Sequence, residues 1–374
     1  MPVPFADLQL QYQTIKSEID GAISAVIRDN AFIRGAYVDA FEREFAGAAE
    51  AKHCVSCANG TDALYLAMAA LRVRPGDEVI TTAHSWISTS AMITHAGASV
   101  VFCDTDSATF TIDPKAIEAA ITPRTRAILP VHIFGYPCEI DRINEIAARH
   151  GLAVIEDAAE AVGALARGRR IGTHGNPAVF AFYPNKQITT GEGGMLTTDD
   201  ADVQAGLQSL TNQGRADTGQ WLEHDRLGYN YRLDELSAAM GVAQLERIDQ
   251  ILGQRAAVAA RYGELLADVP GVGLPAPDAG GDVRSWFVYV VRLDPSFDRN
   301  EVMELLGQRG VSSKPYLPTV HLQSYFRELG HGEGECPVAE EAAKRTLALP
   351  FHTRLDPRDQ ERVAEILADV LAAL

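Results

Sequence analysis

Phe180-Ala181-Phe182-Tyr183-Pro184-Asn185-Lys186-Gln187-Ile188-Thr189-Thr190-Gly191-Glu192-Gly193-Gly194 puts one lysine between an apolar run and a glycine-rich turn. The apolar run reads as a buried strand, and the lysine enters the loop that follows it. Partial desolvation there disfavours an ammonium, and a neutral amine can form a Schiff base. The plainer alternative is a solvated surface lysine, because lysines are rarely fully buried. The rest of the chain must choose between them.

Around this stretch, strand candidates recur at His53 to Ser56, Asp77 to Thr81, Ser99 to Cys103, Ala127 to Val131, Ala153 to Glu156, Ala178 to Phe182 and Gly194 to Thr198. Helix-period segments lie between most of them, including Thr61 to Leu71, Ile87 to His95, Pro114 to Ala120 and Glu139 to His150. The alternation predicts an α/β fold: a large three-layer α/β/α domain with a mostly parallel mixed sheet covered on both faces. Ile15, Ile19, Ile23 and Ile27 mark an amphipathic helix after an N-terminal arm, and Phe41 and Phe45 mark another. From Leu233 to about Ala267 a long helical pattern is interrupted only at Gly241 and Gly253. Pro270, Pro275, Pro277 and Gly280-Gly281 follow, then an apolar run Trp286 to Val291. The expected division is an arm and large domain over 1–250 and a smaller C-terminal α+β domain over 251–374.

Thirty-three basic against 50 acidic residues give a net charge of −17, which disfavours nucleic acid and anionic membrane surfaces. No apolar stretch is long enough to span a bilayer and the first residues lack the pattern of a signal peptide, so the expected location is cytoplasmic. The five cysteines are odd in number and scattered. Cys54-Val55-Ser56-Cys57 matches CxxC, but no second ligand pair accompanies it, so packed free thiols are expected and no metal.

Candidate chemistry gathers where strands end, the rim on which ligands of such sheets collect. Asn59-Gly60-Thr61 precedes an apolar helix, whose first amides could hold a phosphate; alone, such a turn is usually an N-cap. Trp86 could stack on a flat heterocycle, though an indole at a strand-to-helix turn more often packs in a core. Asp157 ends a strand and would need a cation, such as a protonated ring nitrogen, to stay ionised when buried. The alternative is a cap for a following helix. Neither a dinucleotide Gly-x-Gly-x-x-Gly after the first strand, nor a P-loop, nor a Gly-x-Ser-x-Gly elbow is present.

A phosphate cradle, an aromatic plate, a strand-end aspartate and a loop lysine, in that order, describe a pyridoxal phosphate site. The set resembles the DegT/StrS family of nucleotide-sugar aminotransferases, fold type I pyridoxal phosphate enzymes. The likeness runs through Pro4-Phe5-Ala6-Asp7-Leu8, Phe32-Ile33-Arg34-Gly35, Asn59 to Leu64, Pro75 to Ile80, Ile155 to Ala159, Asn185-Lys186 with Gly191 to Gly194, and Gly228 to Asp234, and on to Tyr316, His321 and Leu349-Pro350.

The resemblance implies that Lys186 bonds covalently to the cofactor and acts as the catalytic acid and base. Asp157 would pair with the ring nitrogen, Gly60 and Thr61 would bind phosphate and Trp86 would stack. Asn230 would reach the cofactor of a neighbouring subunit, so a homodimer with shared sites is implied, and Tyr316 and His321 would lie near the sugar. The implied reaction passes an amino group from glutamate to a nucleoside-diphosphate-linked keto sugar for amino-sugar and surface-polysaccharide synthesis or a glycosylated product. Thr189 to Gly194 resemble members acting at C4 more than at C3. Two positions depart from the family pattern. Glu160 stands where a glutamine commonly bonds the cofactor's phenolic oxygen, so it is either protonated or repels that oxygen. Ala181 stands where a serine commonly donates to the phosphate. These departures support the alternative of a non-catalytic regulator that binds pyridoxal phosphate or a nucleotide sugar.

Overall fold

The computed structural model describes residues 2–175, 177–216 and 223–374. Its strands are β1 (His53–Cys57), β2 (Glu78–Thr82), β3 (Ser99–Cys103), β4 (Thr125–Leu129), β5 (Ala153–Val154), β6 (Glu156–Asp157), β7 (Leu165–Ala166), β8 (Arg169–Arg170), β9 (Ala178–Ala181) and β10 (Gly194–Thr198). They continue with β11 (Val272–Gly273), β12 (Tyr289–Leu293), β13 (Lys314–Pro315) and β14 (Thr346–Leu349). One half of the large sheet has the order β1-β10-β9-β6 and the other β3-β2-β4-β5. The halves meet at Ile155, where one strand changes neighbours: β5 pairs with β4, β6 pairs with β9, and Asp157 also bridges Val131. Among the described strands of this sheet, only β10 runs against the others.

Neighbouring residues along these strands enter different cores, as a pleat requires. Val55, Val79, Leu129, Val179 and Leu196 join helix residues Ala63, Leu66, Ile93 and Leu207 on one face. Cys54, Ile80, Ile128, Phe180 and Met195 join Phe41, Phe45, Ile143 and Ile146 on the other. This is the expected three-layer arrangement. The CxxC pair is split by the same pleat, with Cys54 in one core and Cys57 in the other, both free thiols. Among the described residues no cluster of three or more His, Cys, Asp or Glu could hold a metal, and no helix is long and apolar enough to cross a membrane.

The long helical pattern expected after Leu233 divides elsewhere than expected. Helices run over Glu235–Leu245 and Ile248–Leu266, breaking at Glu246-Arg247, where Arg247 pairs with Glu18. Gly241 is internal to the first helix because a Cβ there would stand 2.7 Å from the Phe41 ring. The second helix gives Ile251 to the large core and Val258, Ala259, Tyr262 and Leu266 to a separate core under the antiparallel sheet β11-β12-β14-β13. We propose that this single helix is where the two domains join. The apolar run at 286–291 forms a strand two to three residues later than read, as β12.

Candidate active site

The parallel strands deliver their carboxyl ends to one rim. After β1, Asn59 caps the helix Gly60–Ala70: its side chain accepts the Asp62 N–H at 2.9 Å and donates to the Asp62 carboxylate at 2.8 Å. Gly60 lies so close to β9 that a Cβ would stand 2.6 Å from the Ala181 Cβ. After β2, a second helix, Ile87–His95, begins beside the first, and Thr61 Oγ1 donates to Ser88 Oγ at 2.9 Å across the gap. Two helix N-termini, both favourable to an anion, therefore meet at one place. Trp86, the residue before the second helix, is 63% exposed, so the core packing usual for an indole at such a turn does not occur.

Asp157 is 4% exposed. Thr89 Oγ1 donates to its Oδ2 at 2.8 Å, and the Ala159 N–H donates to Oδ1 at 3.2 Å. No helix follows within the next several residues, so the helix-cap alternative is set aside; Asp157 closes a turn instead. Burial pushes its carboxyl up from the ordinary range, while the Thr89 and Ala159 bonds and the Lys186 charge pull it back only in part. It has no ion pair among the described residues.

Lys186 follows β9 in a tight turn closed by its own N–H to the Tyr183 carbonyl at 2.9 Å. Its side chain is 13% exposed, so the solvated alternative fails. Nζ lies 3.5 Å from Glu160 Oε1 and 4.2 Å from the centre of the Phe287 ring. Glu160 is itself buried and accepts the Phe134 N–H at 2.8 Å through its other oxygen. Tyr316 joins this group: Asn185 Nδ2 donates to its hydroxyl at 3.4 Å, and its ring stacks on Phe5 at 6.0 Å. Burial and the Glu160 charge push the Tyr316 hydroxyl up.

Two further residues expected at the site are His321 and Asn230. His321 is fully buried, bonded through Nε2 to Glu340 at 3.0 Å and packed on Phe102. The resemblance places His321 near the sugar, and in this chain its ring is packed and paired to Glu340. Asn230 is exposed and bridges Asn212. Sequence reading missed Thr89, Ser88, Phe287 and the donating role of Asn185. Thr89 and Ser88 carried a faint signal as hydroxyls in a first helical turn, but nothing local points Thr89 at an aspartate 68 residues away.

These residues fit pyridoxal phosphate. The fit rests on a buried carboxyl in no ion pair among the described residues, an exposed indole, a cradle that admits no Cβ at Gly60, and a lysine walled by Phe287.

Residues 13–368 match the model of the DegT/DnrJ/EryC1/StrS aminotransferase family. The "Pleiotropic regulatory protein" of Geobacillus stearothermophilus is 39% identical over 372 residues, covering 99% of this chain and 98% of that protein. The "dTDP-3-amino-3,4,6-trideoxy-alpha-D-glucose transaminase" of Streptomyces venezuelae is 38% identical over 371 residues, 98% of this chain and 96% of that one. The crystal structure of S. venezuelae DesV superposes with a TM-score of 0.94 at 38% identity, covering 98% of both chains.

Proposed function

We propose that this chain, which belongs to the DegT/DnrJ/EryC1/StrS aminotransferase family, moves an amino group from glutamate to a nucleoside-diphosphate-linked 4-keto sugar with pyridoxal phosphate as cofactor. The observation that carries the reading is the buried lysine with a carboxylate beside it and a second carboxylate on the adjoining strand end. Lys186 would bind the cofactor covalently and, once released, Nζ would take the substrate's proton and return it. Asp157 would hold a proton on the ring nitrogen, which relieves the carboxyl of a cost that burial now imposes. The amides of Gly60 and Thr61 would hold the phosphate and Trp86 would cover one ring face. Tyr316 would border the sugar, and Asn230 would serve the neighbouring subunit's site in a homodimer. When bound, the cofactor supplies the electron sink for both halves of the transfer.

The C4 preference rests on residues 189–194 alone, and the S. venezuelae relative is named for an amino group at C3. The test is a panel of nucleotide-linked 4-keto and 3-keto sugars with glutamate, reading 2-oxoglutarate. We expect turnover with 4-keto sugars; turnover with 3-keto sugars alone would overturn the C4 preference and leave the reaction class intact. Borohydride reduction of the loaded protein should fix the cofactor on the peptide containing Lys186, and Lys186→Ala should lose both that adduct and all turnover. The second reading, a regulator, has the name of the Geobacillus relative in its favour. A cofactor-loaded chain that turns over no sugar would support it.

A further inference from the structure

Glu160 and Lys186 are not in a surface ion pair. The carboxylate is buried on the turn after β6, its Oε1 is 3.5 Å from Nζ, and its Oε2 is fixed by the Phe134 N–H at 2.8 Å. Its own carbonyl is held by Gln187 Nε2 at 2.6 Å, so the backbone that carries it is tied to the turn that carries the lysine. The groups facing it are few. Asp157 approaches from β6, Lys186 from the loop after β9, and Tyr316 from the segment after β13. From the 133–135 segment it meets a backbone N–H, and from the 285–287 segment the neutral Phe287 ring borders the lysine. His132 lies beyond Asp157 and directs its ring at Glu156, 3.2 Å away.

Among the described residues Lys186 is therefore the cation that acts on both buried carboxyls, with His132 acting on Asp157. When Nζ bonds to a carbonyl carbon, the ammonium must give up its charge, and a buried carboxylate left without a counter-ion is costly. Resting on the proposed function above, we propose that Glu160 takes the proton Lys186 releases on bonding to the cofactor, so that it is a carboxylate in the empty protein and a carboxylic acid in the loaded one. The step balances. The nitrogen–carbon bond forms and the carbonyl carbon–oxygen bond breaks. Two of the three ammonium protons leave with the oxygen as water, and the third moves to Oε1. The resulting acid carries an O–H that it can donate, as the amide of a glutamine could, which accommodates the departure from the family pattern at this position. Burial, reinforced by Asp157, already pushes the Glu160 carboxyl upward, with Lys186 and the Phe134 N–H opposing.

The test is proton linkage in cofactor binding. Pyridoxal phosphate is titrated into the empty full-length chain across about pH 6.5–8.5, for wild type and Glu160→Gln. The glutamine keeps an acceptor for the Phe134 N–H, so a merely structural role for Glu160 would leave the two pH profiles parallel. In the variant the lysine proton must go to solvent, and its affinity should rise relative to wild type by about tenfold per pH unit. Titrations of the free cofactor are common to both proteins and cancel. Parallel profiles with binding intact overturn the proposal alone; no covalent binding by wild type overturns the proposed function with it. If Glu160→Gln does not fold, infrared difference spectra of wild type decide: a protonated-carboxyl band must appear on loading, and its absence overturns the assignment.

Discussion

Ala181 ends β9 with its Cβ pressed toward Gly60, at the start of the helix that we assign to the phosphate. A hydroxyl there would add a donor where two helix N-termini already converge, and one charge-assisted hydrogen bond is worth roughly 1.5–3 kcal/mol. Ala181→Ser should therefore tighten pyridoxal phosphate by about tenfold or more, read from equilibrium titration. Unchanged affinity would show that Thr61 and Ser88, whose hydroxyls already meet at 2.9 Å, supply the missing donor. Single residues are also where the sequence was least legible. Lys186, Asp157 and Gly60 stood out because each occupies a strand end next to a telling neighbour. Their partners did not, because a hydrogen bond from Thr89 to Asp157 or from Phe134 to Glu160 depends on how distant segments meet, and no local pattern encodes that.

Strands of the large sheet were legible to within about two residues, as at β3 and β10, which fall on their expected spans, whereas β12 starts three residues late. Glycine misled at the level of the helix: Gly241 marks close approach to Phe41, and the break comes at Arg247, where an ion pair to Glu18 sits. One contact between elements has a pH signature. His84, just after β2, is fully buried and accepts the Leu317 N–H at Nε2, 3.2 Å away, so it ties the sheet to the segment that carries Tyr316. Burial pushes this imidazole down to about 4. The unfolded chain binds a proton there near pH 6.5 that the folded chain refuses until about pH 4, so stability is lost as pH falls through that window, by up to about 3 kcal/mol. Urea midpoints at pH 7 and pH 4.5 should fall further in wild type than in His84→Asn, whose amide can still accept the Leu317 N–H. Equal falls would contradict the neutral-imidazole assignment.

At the scale of the molecule, the small sheet packs both on a core of its own and on the core of the large sheet, and one residue that the resemblance assigns to the site, Asn230, sits on the surface. Asn230 is exposed and pairs with Asn212. Leu227, three residues before it, is 89% exposed, and Phe32 and Ile33 lie open beside the Ile33–Asp234 bridge. Exposed apolar side chains of this kind suit a covered interface better than water. A two-fold dimer in which each copy lends Asn230 to the other would account for both observations. Mixing variants tests it without any structure of the dimer. Lys186→Ala and Asn230→Ala should each be inactive or nearly so when pure. In a mixed dimer one site carries both defects and the other carries neither, so co-refolded mixtures should regain a fraction of wild-type turnover. If Asn230 acted within its own chain, every site in the mixture would keep one defect, and no activity would return.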